Sequence, residues 1–362
     1  MNPSRFLLLL ALLQLSSFVI SAQQHTINGH ISDTETQLPI PHTEVFVSGT
    51  TVGVITDSLG NFSMKVPFLP CILVADHVAY ESYISTLQNT NELLIKLHKR
   101  NFNIEEVHIS GKNRRRRNLR FFYTHFIEDY SNKIEVKNDS ALIFDRDEMH
   151  FTARSNEPLI IENNYLGYRI KLFLEEFTVT STDGPKGKQI ALNSPRGGFI
   201  TKLKGYHYYE TLENEKPDRK SYFNNNRRIT YHGSYRHFLK SIYDDEPGKQ
   251  GYKIFKYPKK IDAAFYQIEE KEPKNQARQY IIVADTLVIQ YRFDDDEYPI
   301  PAEYLSERDH YNVRKSFIYS TKQPFTIRSN GTSPDPNFII EGRMDKKNFA
   351  NSLPEDYTPP KR

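Results

Sequence analysis

The most regular alternation in the chain runs through residues 61–66, Asn-Phe-Ser-Met-Lys-Val. Phe62, Met64 and Val66 fall on one side of an extended strand there, and Asn61, Ser63 and Lys65 on the other. Just before it stands Asp57-Ser58-Leu59-Gly60, where the Asp can bond its own backbone and the Gly can take a positive φ, so a tight reversal closing a hairpin is predicted. Val45 and Val47 on one side, and Ile72 and Val74 on the other, form short β-branched runs bounded by Gly or Pro, which suit a small sandwich. A first strand is predicted over 26–31 and a last over 92–97, where Leu93, Ile95 and Leu97 share a face.

Beyond residue 118 the period changes. Leu119, Phe122, Tyr123, Phe126, Ile127 and Tyr130 recur at three- and four-residue intervals, predicting a helix over 118–130 with one apolar stripe. Strands are predicted at 142–144, 159–161 and 168–179. In the last, Tyr168, Ile170, Leu172 and Leu174 alternate on even numbers while Phe177 and Val179 continue on odd ones, so an extra residue at Glu175-Glu176 should form a β-bulge. Residues 180–198 read as a surface loop. A second helix is expected from Ser234, carrying Tyr235, Phe238, Leu239 and Ile242 and ended by residues 244–248. Residues 280–283 and 287–293 read as a hairpin, with later strands at 317–320, 325–328 and 338–341. The expected fold is mainly β: a sandwich, then a larger β-rich domain with two helices, each part with its own core.

The block from Leu38-Pro39-Ile40-Pro41 into Val45-Phe46-Val47, then Gly49-Thr50, Gly53, Thr56-Asp57 and Gly60-Asn61-Phe62, resembles the regulatory-like domain of carboxypeptidases. That resemblance implies a seven-stranded prealbumin-like sandwich, a module also found at the front of TonB-dependent receptors. The family usually closes the block with Gly-Tyr; here the pair is Ala79-Tyr80. The same module rides on enzymes, receptors and adhesins, so it implies a fold and no activity. Residues 104–111 are similar to the short strand that follows the sandwich in those receptors, but no plug motif or barrel pattern comes after them. Asn156-Glu157-Pro158-Leu159-Ile160-Ile161-Glu162-Asn163, Leu166-Gly167-Tyr168, Gly233-Ser234 with His237-Phe238-Leu239, and Leu353-Pro354-Glu355-Asp356-Tyr357 resemble a family of secreted Gram-negative proteins of unknown function. Those proteins also carry the sandwich in front.

At 362 residues, with 38% hydrophobic and 26% charged positions, the chain is long enough for two cores and too polar to be membrane-embedded. Residues 1–22 have a charged lead at Arg5, a short apolar run and an Ala22 exit, the pattern of a secretory signal peptide. No later stretch approaches spanning length. The organisation expected is therefore a signal peptide (1–22), the sandwich (23–98), a basic linker (99–118), a β-rich domain (119–352) and a C-terminal tail (353–362), with a periplasmic, outer-membrane-associated or secreted location. Cys71, the single cysteine, sits in an apolar run and reads as a buried inert thiol.

Charge sharpens the picture at the linker. Lys96, Lys99, Arg100, Lys112, Arg114, Arg115, Arg116, Arg117 and Arg120 face only Glu105 and Glu106, in a chain of net charge +3. Such a run is either a solvated spacer or a surface for an anionic leaflet or an acidic envelope partner. One short basic run in an exported protein does not suit nucleic acid. Tyr206, Tyr208 and Tyr209, clustered after a strand, are candidate contact residues, with Tyr231, Tyr235 and Tyr243 around the second helix. His125 to Glu128 and His207 to Glu210 imitate a zinc-binding spacing, with His237 as a distant third, but the scaffold that converges such ligands is not visible. Residues 294–297, Asp-Asp-Asp-Glu, lack the spaced oxygens and Gly of a calcium loop. No catalytic set or cofactor is expected. The function read from the sequence is an exported, non-enzymatic binding or assembly protein of the cell envelope; the alternative is an envelope hydrolase acting on peptide or glycan.

Overall fold

A computed structural model of the chain describes residues 25–100, 112–127, 133–181, 199–256, 259–260, 265–268, 277–282, 286–293, 313–320, 324–333, 338–342, 344 and 352–360. The expected signal peptide, the receptor-like strand at 104–111, the 182–198 stretch, Glu128 and residues 294–297 lie outside this set.

Seven strands make the front unit: β1 (His25–Asp33), β2 (Glu44–Val47), β3 (Gly53–Ile55), β4 (Asn61–Val66), β5 (Cys71–Asp76), β6 (Tyr83–Leu87) and β7 (Leu93–Leu97). They form two sheets, β4-β1-β7 and β3-β2-β5-β6, facing each other as a sandwich. Alternation decides which residues face inward. Phe62, Met64 and Val66 of β4 are buried with Ile95 and Leu97 of β7 and with Val45, Val47, Cys71, Leu73 and Ala75 from the opposite sheet. The Asp57 reversal forms as its residues dictate: the carboxylate accepts the Leu59 and Asn61 N–H groups, and Gly60 takes φ 73°. It does not close a hairpin. β3 belongs to one sheet and β4 to the other, where β4 pairs with β1, so the turn carries the chain across the sandwich.

The helix after the front unit, α1 (Lys112–Phe126), begins six residues before the expected start. The basic run at 112–118 is therefore helical, which corrects its assignment to a linker. Arg115 supplies a reason: its guanidinium donates to the carbonyls of Leu142 (3.0 Å) and Asp139 (2.8 Å), tying the first turns to the sheet below. That sheet is built from β8 (Ile134–Val136), β9 (Leu142–Arg146), β10 (His150–Ser155), β11 (Leu159–Asn163), β12 (Tyr168–Ser181) and β13 (Phe199–Thr211). β13 lines one side of β12 for its full length, and β11 and β10 pair with successive halves of the other side. The predicted bulge is present, since the register slips between Leu174 and Glu176. It keeps Tyr168, Ile170, Leu172, Leu174, Phe177 and Val179 on one buried face against Phe122 and Phe126 of α1 and Ile127 just after it.

Two further helices follow, α2 (Lys220–Tyr231) and α3 (Tyr235–Tyr243), so three are present among the described residues where two were expected. α3 starts as predicted: the Ser234 hydroxyl accepts the His237 N–H. The remaining strands are β14 (Tyr252–Lys256), β15 (Lys259–Lys260), β16 (Phe265–Ile268), β17 (Ala277–Ile282), β18 (Thr286–Arg292), β19 (Val313–Ser320), β20 (Phe325–Arg328) and β21 (Phe338–Gly342). They form the sheets β15-β14-β18-β19-β21 and β16-β17-β20. The expected hairpin over 280–293 is again corrected: β17 and β18 are consecutive but lie in different sheets. Phe238, Leu239 and Ile242 of α3 pack with residues of both sheets into a third core, separate from the other two. Among the described residues the region beyond the sandwich thus has two cores, not one.

Candidate functional site

Two places gather the residues that the sequence singled out. The first is α1. Arg114, Arg116, Arg117 and Arg120 are exposed on it, whereas Arg115 is half-buried and spent on backbone carbonyls, so it leaves the candidate set. The first turn holds no acid to offset the positive end of the helix, so the exposed arginines add to a field that already disfavours cations. Arg146 of β9 joins this face. It stacks over Phe121 at 4.1 Å, and burial together with the nearby charge of Arg117 lowers its pKa.

The second place is the tyrosine cluster, which lies within β13 and not after a strand. Strand alternation sends its members in opposite directions. Tyr209 is fully buried in the core beneath α1, its hydroxyl bonded to the Ser352 hydroxyl, and so cannot serve as a surface contact. Tyr206 and Tyr208 point from the other face, beside Phe173 and Lys171 of β12. There the front sandwich docks. Phe46 of β2 packs 5.2 Å from the Tyr208 ring and 5.7 Å from Phe173. Phe46 and its cross-strand neighbour Val74 are both buried, yet neither belongs to the sandwich core.

Polar groups fix the register of this seam. Lys171 reaches Glu44 (2.5 Å) and Asp76 (2.8 Å) of the front unit. Burial on its own would lower the Lys171 pKa, but the bonds to Asp76 and Glu44 outweigh it and the pKa is raised. Backbone bonds cross as well: the Gly49 N–H donates to the His207 carbonyl (2.7 Å), and the Tyr209 N–H to the Thr50 carbonyl (3.0 Å). The turn between β2 and β3 thereby satisfies part of the open edge of β13.

The expected C-terminal tail is no tail. Pro354 is buried, Leu353 packs against the core under α1, and the carbonyls of residues 354, 355 and 357 all accept from the guanidinium of Arg236 on α3.

Histidines and acids inside the protein are similarly occupied. His237 is buried. Its Nδ1 accepts from the Gly233 N–H (3.1 Å) and lies 2.8 Å from the Tyr252 hydroxyl, while its Nε2 lies 3.2 Å from the Gln250 side-chain oxygen. Burial pushes its pKa down to about 3. His125 stacks on Phe121 at 4.1 Å. Glu210 of β13 is exposed and lies 3.8 Å from Arg169. Among the described residues no three metal-ligating side chains converge. Cys71 is buried, which pushes its thiol up to about 12.

Sequence reasoning missed Arg227 on α2. It donates to the carbonyls of Leu166 (2.7 Å) and Gly167 (2.9 Å), pairs with Glu213 (2.6 Å) and stacks over Tyr168. No helix among the described residues is long and apolar enough to cross a membrane.

The seven strands in their three-and-four arrangement carry a recognisable sequence. Residues 27–109 match the CarboxypepD_reg-like domain family. The CarboxypepD_reg-like domain is thus the unit whose outer face docks on β12 and β13. A comparison with curated proteins found no match. Among solved structures the chain is similar to a type II cohesin-X-dockerin complex mutant from Acetivibrio cellulolyticus, at 25% identity, covering 20% of this chain and 56% of that one, with a TM-score of 0.18. It is also similar to a candidate carbohydrate binding protein from Bacteroides uniformis, at 9% identity, 84% and 98% coverage and a TM-score of 0.18. A DUF3823 family protein from Bacteroides ovatus follows at 11% identity, 52% and 96% coverage and a TM-score of 0.17. Likeness at this level brings no function with it.

Proposed function

We propose that the protein is an exported, non-enzymatic binding or assembly component of the cell envelope, and that the basic face of α1 is where it meets an anionic lipid surface. The observation that carries this reading is the group of exposed arginines at 114, 116, 117 and 120, with Arg146 beside Arg117 and no acid in the first helical turn. A fixed cluster of like charges costs local stability unless a negative surface lies against it. The signal-like start and the CarboxypepD_reg-like domain support an envelope location, and the structural bonds that occupy His237, Tyr209 and Arg227 support binding over catalysis.

Each basic residue held near an anionic leaflet contributes up to about 1 kcal/mol, so the four exposed arginines together favour binding by at most about 4 kcal/mol, on the order of a thousandfold in affinity. The test is co-sedimentation with phosphatidylglycerol-containing vesicles, comparing the native chain with the triple variant Arg114→Ser, Arg116→Ser, Arg117→Ser. Arg115 is left in place because it anchors the helix. Binding should fall at least tenfold in the variant and weaken with added salt in the native protein. Equal binding by the two at low salt would end the proposal.

A further inference from the structure

Residues 352–357 are held like a bound ligand. Their recognition uses mainly main-chain groups, together with the Asp356 carboxylate, the Glu355 carboxylate 3.7 Å from Arg328 and the Ser352 hydroxyl bonded to Tyr209, with partners drawn from several parts of the fold. Arg236 donates Nη1 to the Pro354 carbonyl and Nη2 to the carbonyls of Glu355 and Tyr357. The Asn330 side-chain amide donates to the Glu355 carbonyl (3.1 Å). From the front sandwich, the Gly49 carbonyl accepts the Glu355 N–H (2.7 Å), and Thr51 gives the Asp356 carboxylate both its N–H (3.0 Å) and its hydroxyl (2.5 Å). Tyr357 folds back over Pro354 through its N–H (3.0 Å) and sets its ring 6.0 Å from Tyr231.

None of these bonds requires the segment to belong to the same chain. Without it, Arg236 keeps its bond to the Asn330 carbonyl (3.0 Å), but a part-buried guanidinium would lose three partners at once. A vacancy of that kind favours refilling by an equivalent peptide.

We propose that the crevice between Gly49 and Thr51 of the front sandwich and Arg236 and Asn330 beyond it is a peptide-recognition site, filled in cis by residues 352–357 and open to the same segment of a second copy. Exchange of this segment links two copies without any new contact surface, because each crevice receives the ligand it already fits. In isolation the attached segment wins through its high effective concentration; crowding of copies shifts the balance toward exchange.

Two measurements test this. In the first, full-length Thr51→Cys and Asp356→Cys chains are mixed at millimolar concentration under a mild oxidant, and the double variant in one chain serves as the reference for cross-linking in cis. A disulfide-linked dimer that forms only in the mixture, and at least tenfold more slowly when the mixture is diluted a hundredfold, is the expected result. Cross-linking within the double variant but none between mixed chains would overturn the proposal. In the second, a chain ending at Asn351, checked for native far-ultraviolet circular dichroism, is titrated with a fluorescent synthetic peptide of residues 352–362. Saturable binding, at least tenfold weaker to the full-length chain and to the shortened Arg236→Met chain, is expected. Absence of binding to a folded shortened chain would count against the site as decisively.

Discussion

Replacing Lys171 by Met tests whether the docking of the front sandwich depends on the ion pairs of the seam. Met keeps an unbranched apolar stem and removes the ammonium, with its two ion pairs and its place 5.4 Å over the Phe173 ring. Its two partners differ sharply in exposure: the Asp76 side chain is 9% exposed and the Glu44 side chain 46%. A charged hydrogen bond to a buried group is worth about 1.5–3 kcal/mol, but Asp76 keeps Ser82 (2.7 Å) and the more distant Arg100 (3.8 Å) after the change, so the effective loss should be about 1–2 kcal/mol. The exposed pair with Glu44 should add less than about 0.5 kcal/mol. The amides of Gly49 and Tyr209, bonded across the seam, report its opening directly through hydrogen exchange. In Lys171→Met they should exchange about tenfold faster, since about 1.4 kcal/mol corresponds to a factor of ten. A cycle with Asp76→Asn should show coupling of about 1–2 kcal/mol, and a cycle with Glu44→Gln should show little. Unchanged exchange at both amides, or stronger coupling to Glu44 than to Asp76, would refute the reasoning and leave the apolar contact of Phe46 as the source of docking.

His237 is neutral when folded because burial holds its pKa at about 3, below the ordinary 6.5 of an unfolded histidine, so its contribution is full above pH 6.5 and is lost as pH falls toward 3. Between pH 7 and pH 5 this amounts to about 2 kcal/mol of stability, and urea melts of His237→Gln should be correspondingly flatter over that interval; parallel profiles would exclude this titration. Gly167 has φ 71°, and a Cβ there would lie 2.4 Å from the Phe223 ring, so Gly167→Ala should cost more than about 3 kcal/mol and lower the midpoint of thermal unfolding by several degrees.

What the sequence could show was whatever alternation along one element dictates. β4, β7, the bulge in β12 and the capped start of α3 follow from spacing alone, because each is a local pattern with one buried face. Which strands become neighbours is not local. Both misassigned hairpins joined consecutive strands that in fact belong to opposite sheets, and a turn signal cannot tell a reversal within a sheet from a crossing between two. α2 escaped notice because its buried stripe includes Asn226, Arg227 and Arg228 beside Phe223 and Tyr231, polar side chains that hydrophobic periodicity counts as surface. Asn226 and Arg227 are interior because loop carbonyls at residues 165–167 need donors there, while Arg228 donates to the Asn225 side chain. The seam did leave a trace. Val45, Phe46 and Val47 are apolar without alternation, which is what a strand covered on both faces looks like. The basic run was visible as charge, but that Arg115 turns inward while its neighbours face solvent depends on carbonyls some 25 residues away.

The placing of residues 352–357 also has a consequence for biogenesis. Synthesis delivers these residues after every surface they grip, so the sandwich can dock through Lys171 and the edge of β13 before the tie from Thr51 to Arg236 is in place. A product clipped before Ser352 would therefore keep its strands and the Lys171 seam and lose only this last tie, so the wholeness of the chain is registered at the junction of its parts and not within any one core.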